Sequence, residues 1–134
     1  MKLVATPAGQ ALVDAPDTRP TPTLSDLKAD AISRLASRRW QAETGGMTFN
    51  GAPVATDDRS KALIYGARGR TVKFKTASGQ FVPLSASETE ALADAVADHV
   101  QACFDRESDL LDAINAAETV EELEAVDISS GWPA

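Results

Sequence analysis

Three side chains that can bind metal or move protons are spaced four residues apart in the C-terminal half of the chain: His99, Cys103 and Glu107. On a helix, positions i, i+4 and i+8 share one face. One helix cannot wrap a single ion with all three, because the first and last are about 12 Å apart. A symmetric trimer could gather three copies of His99 about its axis. We favour a structural role, in which His99 and Cys103 line a core seam, and expect no metal ligands.

Two further groups contain residue types used in catalysis. Asp57 and Asp58 are adjacent, so they cannot share a proton as facing carboxylates do, and we expect them to cap a helix. The segment 66–70 combines glycines with cations but lacks the strand-to-helix context that holds a phosphate. No nucleophile elbow, Walker loop, dinucleotide fingerprint or zinc spacing occurs in the sequence. We therefore expect no catalytic residue, no cofactor and no enzymatic activity.

Charge is sorted along the chain into blocks. Residues 59–87 contain six basic residues and no acid, residues 88–134 contain thirteen acids and one base, and the net charge is −7. This balance argues against nucleic acid as the main partner. The basic block is either a hairpin region paired with the acidic helix, which we favour, or an anion contact. The acidic helix is either solvated or docks a basic partner, which could be the 59–75 block of a neighbouring subunit.

Length and composition indicate one domain with an arm. The chain has 134 residues, of which 43% are hydrophobic, and its single cysteine excludes an intrachain disulfide. No apolar run approaches the roughly 18 residues of a membrane span. Thr6 and Pro7 interrupt the apolar start, which argues against a signal peptide. We expect a soluble protein with no membrane partner.

We divide the chain into an extended proline-rich arm, residues 1–23, and an α+β domain, residues 24–134. Four of the seven prolines lie in the arm, and proline holds the backbone extended. Two apolar patches in the arm could pair as edge strands, dock on a partner, or belong to a partly ordered tail. Their residues are Leu3, Val4, Leu12 and Val13.

Local signals predict two helices and two hairpins before residue 85. The first helix begins near Ser25 as its N-cap, ends at Gly45-Gly46, and places Trp40 on its apolar face with Leu35. Asn50-Gly51 predicts a tight hairpin, because both turn positions require positive φ. Thr56-Asp57-Asp58 caps a second helix that ends near residue 67. Residues 71–75 and 80–84 form the second hairpin, and Pro83 places the return strand at an edge.

A capping box formed by Ser85 and Glu88 opens the longest helix, from about residue 86 to 117, with a break near residues 106–108 as an alternative. A second capping box at Thr119 opens a short helix that buries Val120 and Leu123. We predict that the Trp132 side chain inserts, like a plug, into a groove of its own chain or of a neighbouring copy. The fold class is therefore α+β, a small meander of short β-hairpins flanked by helices, with one long C-terminal amphipathic helix. The candidate partner-binding residues of this helix and plug are Leu92, Val96, Val100, Leu110, Ile114 and Trp132.

The order of these segments resembles domain-of-unknown-function family 4376, which is found in tail proteins of tailed bacteriophages and prophages. The resemblance covers about residues 24 to 133. It implies a small protein that accompanies tail-fibre or baseplate proteins, and it carries no catalytic signature. It rests on the Thr56–Ser60 cap, Gly66-Ala67, Leu84-Ser85-Ala86, the stretch from His99 to Phe104, Ile114–Ala117, Glu121-Glu122-Leu123 and the closing Gly131-Trp132-Pro133.

From this resemblance we expect a structural component of a bacteriophage tail, associated with the fibre or baseplate and docking through protein–protein contacts. Its partners would be other tail proteins and further copies of itself, with a trimer expected on a fibre. It would be made in the cytoplasm of the bacterial host and located in the virion tail. The alternative is a tail-fibre assembly chaperone that is not retained in the virion. A weaker alternative, glycan cleavage, needs carboxylates facing each other across roughly 5–10 Å, and no such pair stands out.

Overall fold

The computed structural model describes residues 21–76 and 78–134, and its four helices and two small antiparallel sheets confirm the α+β class. Most of the predicted arm, including Leu3, Val4, Leu12 and Val13, lies outside these residues. In chain order the elements are α1 (Leu24–Thr44), β1 (Met47–Phe49), β2 (Ala52–Val54), α2 (Asp58–Ala67), β3 (Val72–Lys75), β4 (Phe81–Leu84), α3 (Ala86–Ala116) and α4 (Val120–Glu124).

The N-cap of α1 is Thr23, two residues before the predicted Ser25. The Thr23 hydroxyl accepts a hydrogen bond from the Asp26 amide at 3.1 Å, and the Asp26 carboxylate accepts one from the Thr23 amide at 3.1 Å. This reciprocal pair satisfies two amides at once, whereas Ser25 is followed three residues later by Lys28, which cannot accept a bond. Gly45 follows the last helical residue, as predicted.

Trp40 is 56% exposed, so its predicted place on the buried face of α1 is wrong. It lies five residues after the buried Leu35, and five residues rotate a side chain by about 140° around a helix axis. The tryptophan therefore faces solvent while Leu35 faces α3.

Both hairpins form where predicted. The turn residues Asn50 and Gly51 have φ angles of 50° and 80°, which match the left-handed requirement of a two-residue hairpin turn. In the second hairpin Pro83 pairs with Lys73, and each strand of that sheet has a free edge that tolerates a missing amide. Within the described residues the hairpins are two separate sheets, so the predicted single meander is wrong.

The caps of α2 and α3 follow the sequence signals. The Asp57 carboxylate accepts bonds from the Ser60 amide at 3.2 Å and the Ser60 hydroxyl at 2.5 Å. Ser85 and Glu88 form the predicted capping box, with distances of 3.2 Å and 2.8 Å. Each helix therefore begins with a side chain that satisfies one of its otherwise unpaired first-turn amides.

Helix α3 is continuous over 31 residues, so the alternative of a break near residue 107 is wrong. Its length is about 46 Å at 1.5 Å per residue. Helix α1 lies antiparallel along it, and together they form the main helix pair of the fold. No helix in the described part of the chain is long and apolar enough to cross a bilayer. Helices α1 and α3 are joined by hydrogen bonds from Lys28 to the Asn115 carbonyl, from Arg39 to Glu107, and between His99 and the Ala42 carbonyl.

Two apolar clusters lie at opposite ends of α3. The hairpin cluster joins α2 and the first hairpin to the N-terminal half of α3 and consists of Val54, Ile64, Leu92, Ala93 and Val96. The tail cluster joins α1 and α4 to the C-terminal half of α3 and consists of Ala31, Leu35, Leu110, Ile114, Ala117 and Leu123. Both halves of the apolar face of α3 thus pack within the protomer.

The start of α4 differs from the predicted capping box. Thr119 accepts a bond from the Glu122 amide at 3.1 Å, as predicted, but the Glu122 carboxylate accepts from the Glu118 amide at 2.8 Å instead of closing back on Thr119. Leu123 is buried, whereas Val120 is 37% exposed, so its predicted burial is wrong. The short helix anchors through one side chain and presents the rest to solvent.

Trp132 fills a groove of its own chain. Its ring packs against the tail cluster, its Nε1 donates to the Ile128 carbonyl at 2.9 Å, and the Arg38 guanidinium lies 5.4 Å from the ring centroid. Arg106 of α3 donates to the Ser130 carbonyl at 3.0 Å and holds the adjoining backbone. The C-terminal segment is thereby fastened across α1 and α3.

Trp132→Ala should lower the free energy of unfolding by about 2 kcal/mol, because it removes a partly buried ring and its hydrogen bond. The control is Trp40→Ala, which removes the same side chain from an exposed position of α1 and should change stability by no more than about 0.5 kcal/mol. Urea unfolding followed by far-UV circular dichroism measures both. Equal stabilities of the two variants would show that the C-terminal segment is not docked in solution.

Candidate functional site

His99 and Cys103 are both buried in the interior between α1 and α3, as the structural interpretation of their spacing predicted. The Nε2 atom of His99 lies 3.0 Å from the Ala42 carbonyl oxygen. A carbonyl oxygen only accepts, so Nε2 carries the proton and donates it. The imidazole is therefore a fixed link between the helices, and it is enclosed by its own protomer and cannot reach a symmetry axis.

The Cys103 thiol lies 4.0 Å from His99 Nε2, but it is not poised as a nucleophile. Burial, followed by the nearby Glu43 charge, raises the pKa of the thiol. Because Nε2 donates its proton to Ala42, it has no lone pair with which to take the thiol proton. The arrangement does not provide the activated thiolate that cysteine chemistry requires.

A chain of five charged side chains, here called the polar bridge, links α2, α1 and α3. At its centre Glu43 accepts hydrogen bonds from Lys61 on one oxygen and from Arg39, at 2.6 Å, on the other. Arg39 also donates to Glu107 at 3.2 Å, and Lys61 lies 3.6 Å from Asp58. The Arg39 guanidinium additionally covers the Phe104 ring at 4.6 Å from its centroid. Glu107, the third of the residues spaced four apart with His99 and Cys103, thus holds an arginine side chain in place and has a structural role.

The charges of the polar bridge are fixed by their mutual contacts. Burial alone would raise the pKa of Glu43, but the hydrogen bonds from Lys61 and Arg39 outweigh it and hold this pKa below 4.5. Burial likewise opposes the charged form of Lys61, and the hydrogen bond to Glu43 outweighs it and raises the pKa of the lysine above 10.5. Glu43 and Lys61 therefore both remain ionised at neutral pH. A fixed ion pair suits a structural link between helices better than it suits proton transfer.

The structure assigns four of the candidate partner-binding residues to the protomer's own core. Leu92, Val96, Leu110 and Ile114 are buried in the hairpin and tail clusters, so their side chains do not present a surface to a symmetry mate. Val100 is half-buried beside the hairpin cluster, and Trp132 is half-buried against the tail cluster. In the described part of the chain, no three His, Cys, Asp or Glu side chains converge to hold a metal ion.

A surface groove that the sequence did not predict lies between α2 and the second hairpin. This basic groove has a volume of about 520 Å³. Its apolar lining includes Leu63 and Phe81, which are 57% and 67% exposed. Its cations are Arg59, Lys73 and Lys75, and the Lys75 ammonium lies 6.0 Å from the Phe81 ring centroid.

The basic block divides into paired and unpaired cations. Arg68 forms an ion pair with Asp94 of α3, so the favoured pairing between the basic block and the acidic helix is present there. No carboxylate of residues 21–76 or 78–134 forms an ion pair with the three groove cations. The groove therefore combines exposed apolar surface with cations that the described residues leave unneutralised, which is how a docking site for an acidic partner is built.

The signals for the groove are spread over three segments of the chain. Leu63 and Phe81 read as ordinary apolar positions of a helix and a strand, and only the tertiary fold brings them to one opening. Glu43 was also missed, although its place four residues after Arg39 predicts an ion pair on one helix face. Its second partner, Lys61, comes from another helix and leaves no local signal.

These features define a small α+β domain whose interior polar groups serve structure and whose exposed groove suits contact with another protein. The chain belongs to the family described as a domain of unknown function (DUF4376), whose model matches residues 26–130. The family inferred from the ordered sequence segments is thereby confirmed. No curated protein and no solved structure matches the chain.

Glu43→Gln should lower the free energy of unfolding by about 3 kcal/mol at neutral pH, because it leaves Lys61 and Arg39 without their shared carboxylate. The matched control is Asp30→Asn, which breaks the exposed pair with Arg34 on the same helix and should cost less than about 1 kcal/mol. Urea unfolding of the three proteins measures both differences.

The gap between wild type and Glu43→Gln should depend on pH. Since the folded pKa of Glu43 lies below 4.5, its contribution is complete above that value and is lost as the pH falls through the folded pKa. Unfolding curves recorded from neutral to acid pH should therefore converge for the two proteins. A gap that stays constant down to pH values below the folded pKa would contradict the ionised bridge.

Cys103 should react with a thiol reagent only when the fold opens, because the thiol is enclosed and protonated. We expect slow labelling of the native chain and complete labelling in denaturant, measured by absorbance of the released chromophore. Fast labelling of the native protein would contradict the close packing of α1 on α3.

Proposed function

We propose that this protein is a structural component of a bacteriophage tail, associated with the fibre or baseplate, which acts by docking other tail proteins. Membership of the family supports this proposal through the resemblance described above, which implies a small protein that accompanies tail-fibre or baseplate proteins. The protein would be made in the bacterial host and carried in the virion tail. Its partners would be tail proteins and further copies of the same chain.

The observation that carries the proposal is the contrast between the interior, whose polar side chains hold helices together, and the surface, which exposes a groove. Side chains of types used in catalysis, such as His99 and Glu43, form hydrogen bonds that hold helices together. The surface instead presents large apolar side chains beside charges, with Leu63 and Phe81 among the groove cations. Such surfaces are typical of protein docking.

Quantitative mass spectrometry of purified phage particles tests the proposal. We expect the chain at a fixed number of copies per tail, because a structural component occupies symmetry-related positions. The matched control is the lysate of the same infected cells, in which the chain should also be present.

Absence from particles together with abundance in the lysate would contradict a structural role. That result would favour the alternative of a fibre-assembly chaperone, and co-expression of the chain with the fibre protein should then increase the amount of soluble fibre.

A further inference from the structure

The basic groove has a complementary surface on the same molecule, at the other end of α3. Residues 118–124, here called the acidic end, comprise α4 and the two residues before it and contain four glutamates in seven residues. No Lys or Arg of the described ranges forms an ion pair with any of these glutamates. The exposed Val120 lies among them. The acidic end thus offers an apolar side chain surrounded by negative charge.

These two surfaces cannot meet within one protomer. The groove elements are fastened to the N-terminal half of α3, through Arg68 to Asp94 and through the Thr89 hydroxyl to the Arg70 carbonyl at 2.9 Å. The acidic end follows the C-terminus of α3 and is held there by Leu123 in the tail cluster. The stretch of helix from Asp94 to Ala116 is about 33 Å long at 1.5 Å per residue, and α3 is continuous.

We propose that the basic groove of one copy binds the acidic end of a second copy, with Val120 against Leu63 and Phe81 and the glutamates facing the groove cations. Charge complementarity selects this occupant, because the groove presents three cations and the acidic end four glutamates, none of which forms an ion pair within the described residues. Opposed charges also steer the two surfaces toward each other during encounter.

The contact joins two different surfaces, so it is a head-to-tail contact. Each copy that donates its acidic end keeps a free groove, and each copy that receives one keeps a free acidic end. Such contacts close into a ring when the rotation between copies permits and otherwise continue as a filament. This property belongs to the chain itself and does not depend on the proposed role in a tail.

Sedimentation velocity over a concentration series tests the contact. At low ionic strength we expect wild-type chains to associate beyond the monomer in a concentration-dependent way. At about 1 M salt, where the Debye length is about 3 Å, association should weaken by about tenfold or more. A wild-type chain that stays monomeric at every concentration in low salt would overturn the proposal and leave the groove to an acidic partner of another kind.

Two double variants remove one surface each without reversing charge. Lys73→Gln with Lys75→Gln weakens the groove. Glu118→Gln with Glu121→Gln weakens the acidic end while sparing Glu122, whose carboxylate accepts from the Glu118 amide. Each variant alone should be monomeric where wild type associates. The matched control, Asp98→Asn with Asp109→Asn, removes two exposed charges from the outer face of α3 and should associate like wild type.

Mixing the two surface variants separates a head-to-tail contact from general charge effects. The groove variant retains an acidic end and the other variant retains a groove, so one productive contact remains between them. An equimolar mixture should form a heterodimer and stop there. If both variants associate as strongly as wild type, or if their mixture stays monomeric while each remains folded by circular dichroism, the proposed contact is wrong.

Discussion

The arrangement of the helices depends on one interaction, the ion pairing of the Glu43 carboxylate. It lies between α1, α2 and α3 and is shared by Lys61 and Arg39, while Arg39 continues to Glu107. A buried carboxylate with two cationic donors fixes the relative positions of the elements that supply them, because any displacement leaves a charge unpaired in a poorly solvated place. Helix α2 is thereby set against the hairpin cluster, and the second hairpin that follows it in the chain forms the other wall of the basic groove.

Much of the local structure could be predicted because its causes are local. Asn50-Gly51 determines a turn through backbone sterics, and the box of Ser85 and Glu88 starts a helix through bonds between residues three apart. The misplaced N-cap of α1 has an equally local cause. Ser25 and Thr23 are both plausible caps, and the choice falls to the residue whose reciprocal acceptor, Asp26, stands at the right distance.

The candidate site was less predictable because its parts come together only in the folded chain. A helical pattern such as that of Leu92 and Ile114 shows that a face is apolar, but it does not say whether the covering element belongs to the same chain. Here α1 and the first hairpin cover it, so the pattern describes a core. The groove differs, because Leu63 and Phe81 read as ordinary apolar positions of a helix and a strand, and they become an exposed surface only through the packing of α2 beside the second hairpin.

The burial of Cys103 also determines how the protein responds to its chemical surroundings. The proposed tail component would be made in a reducing cytoplasm and would then persist in an oxidising medium, where accessible thiols form disulfides or sulfenic acids. The only sulfhydryl of this chain is enclosed between two long helices and held in its protonated form. Copies of the protein are therefore not cross-linked through Cys103 while they remain folded, and any assembly they build does not depend on the redox state of this thiol.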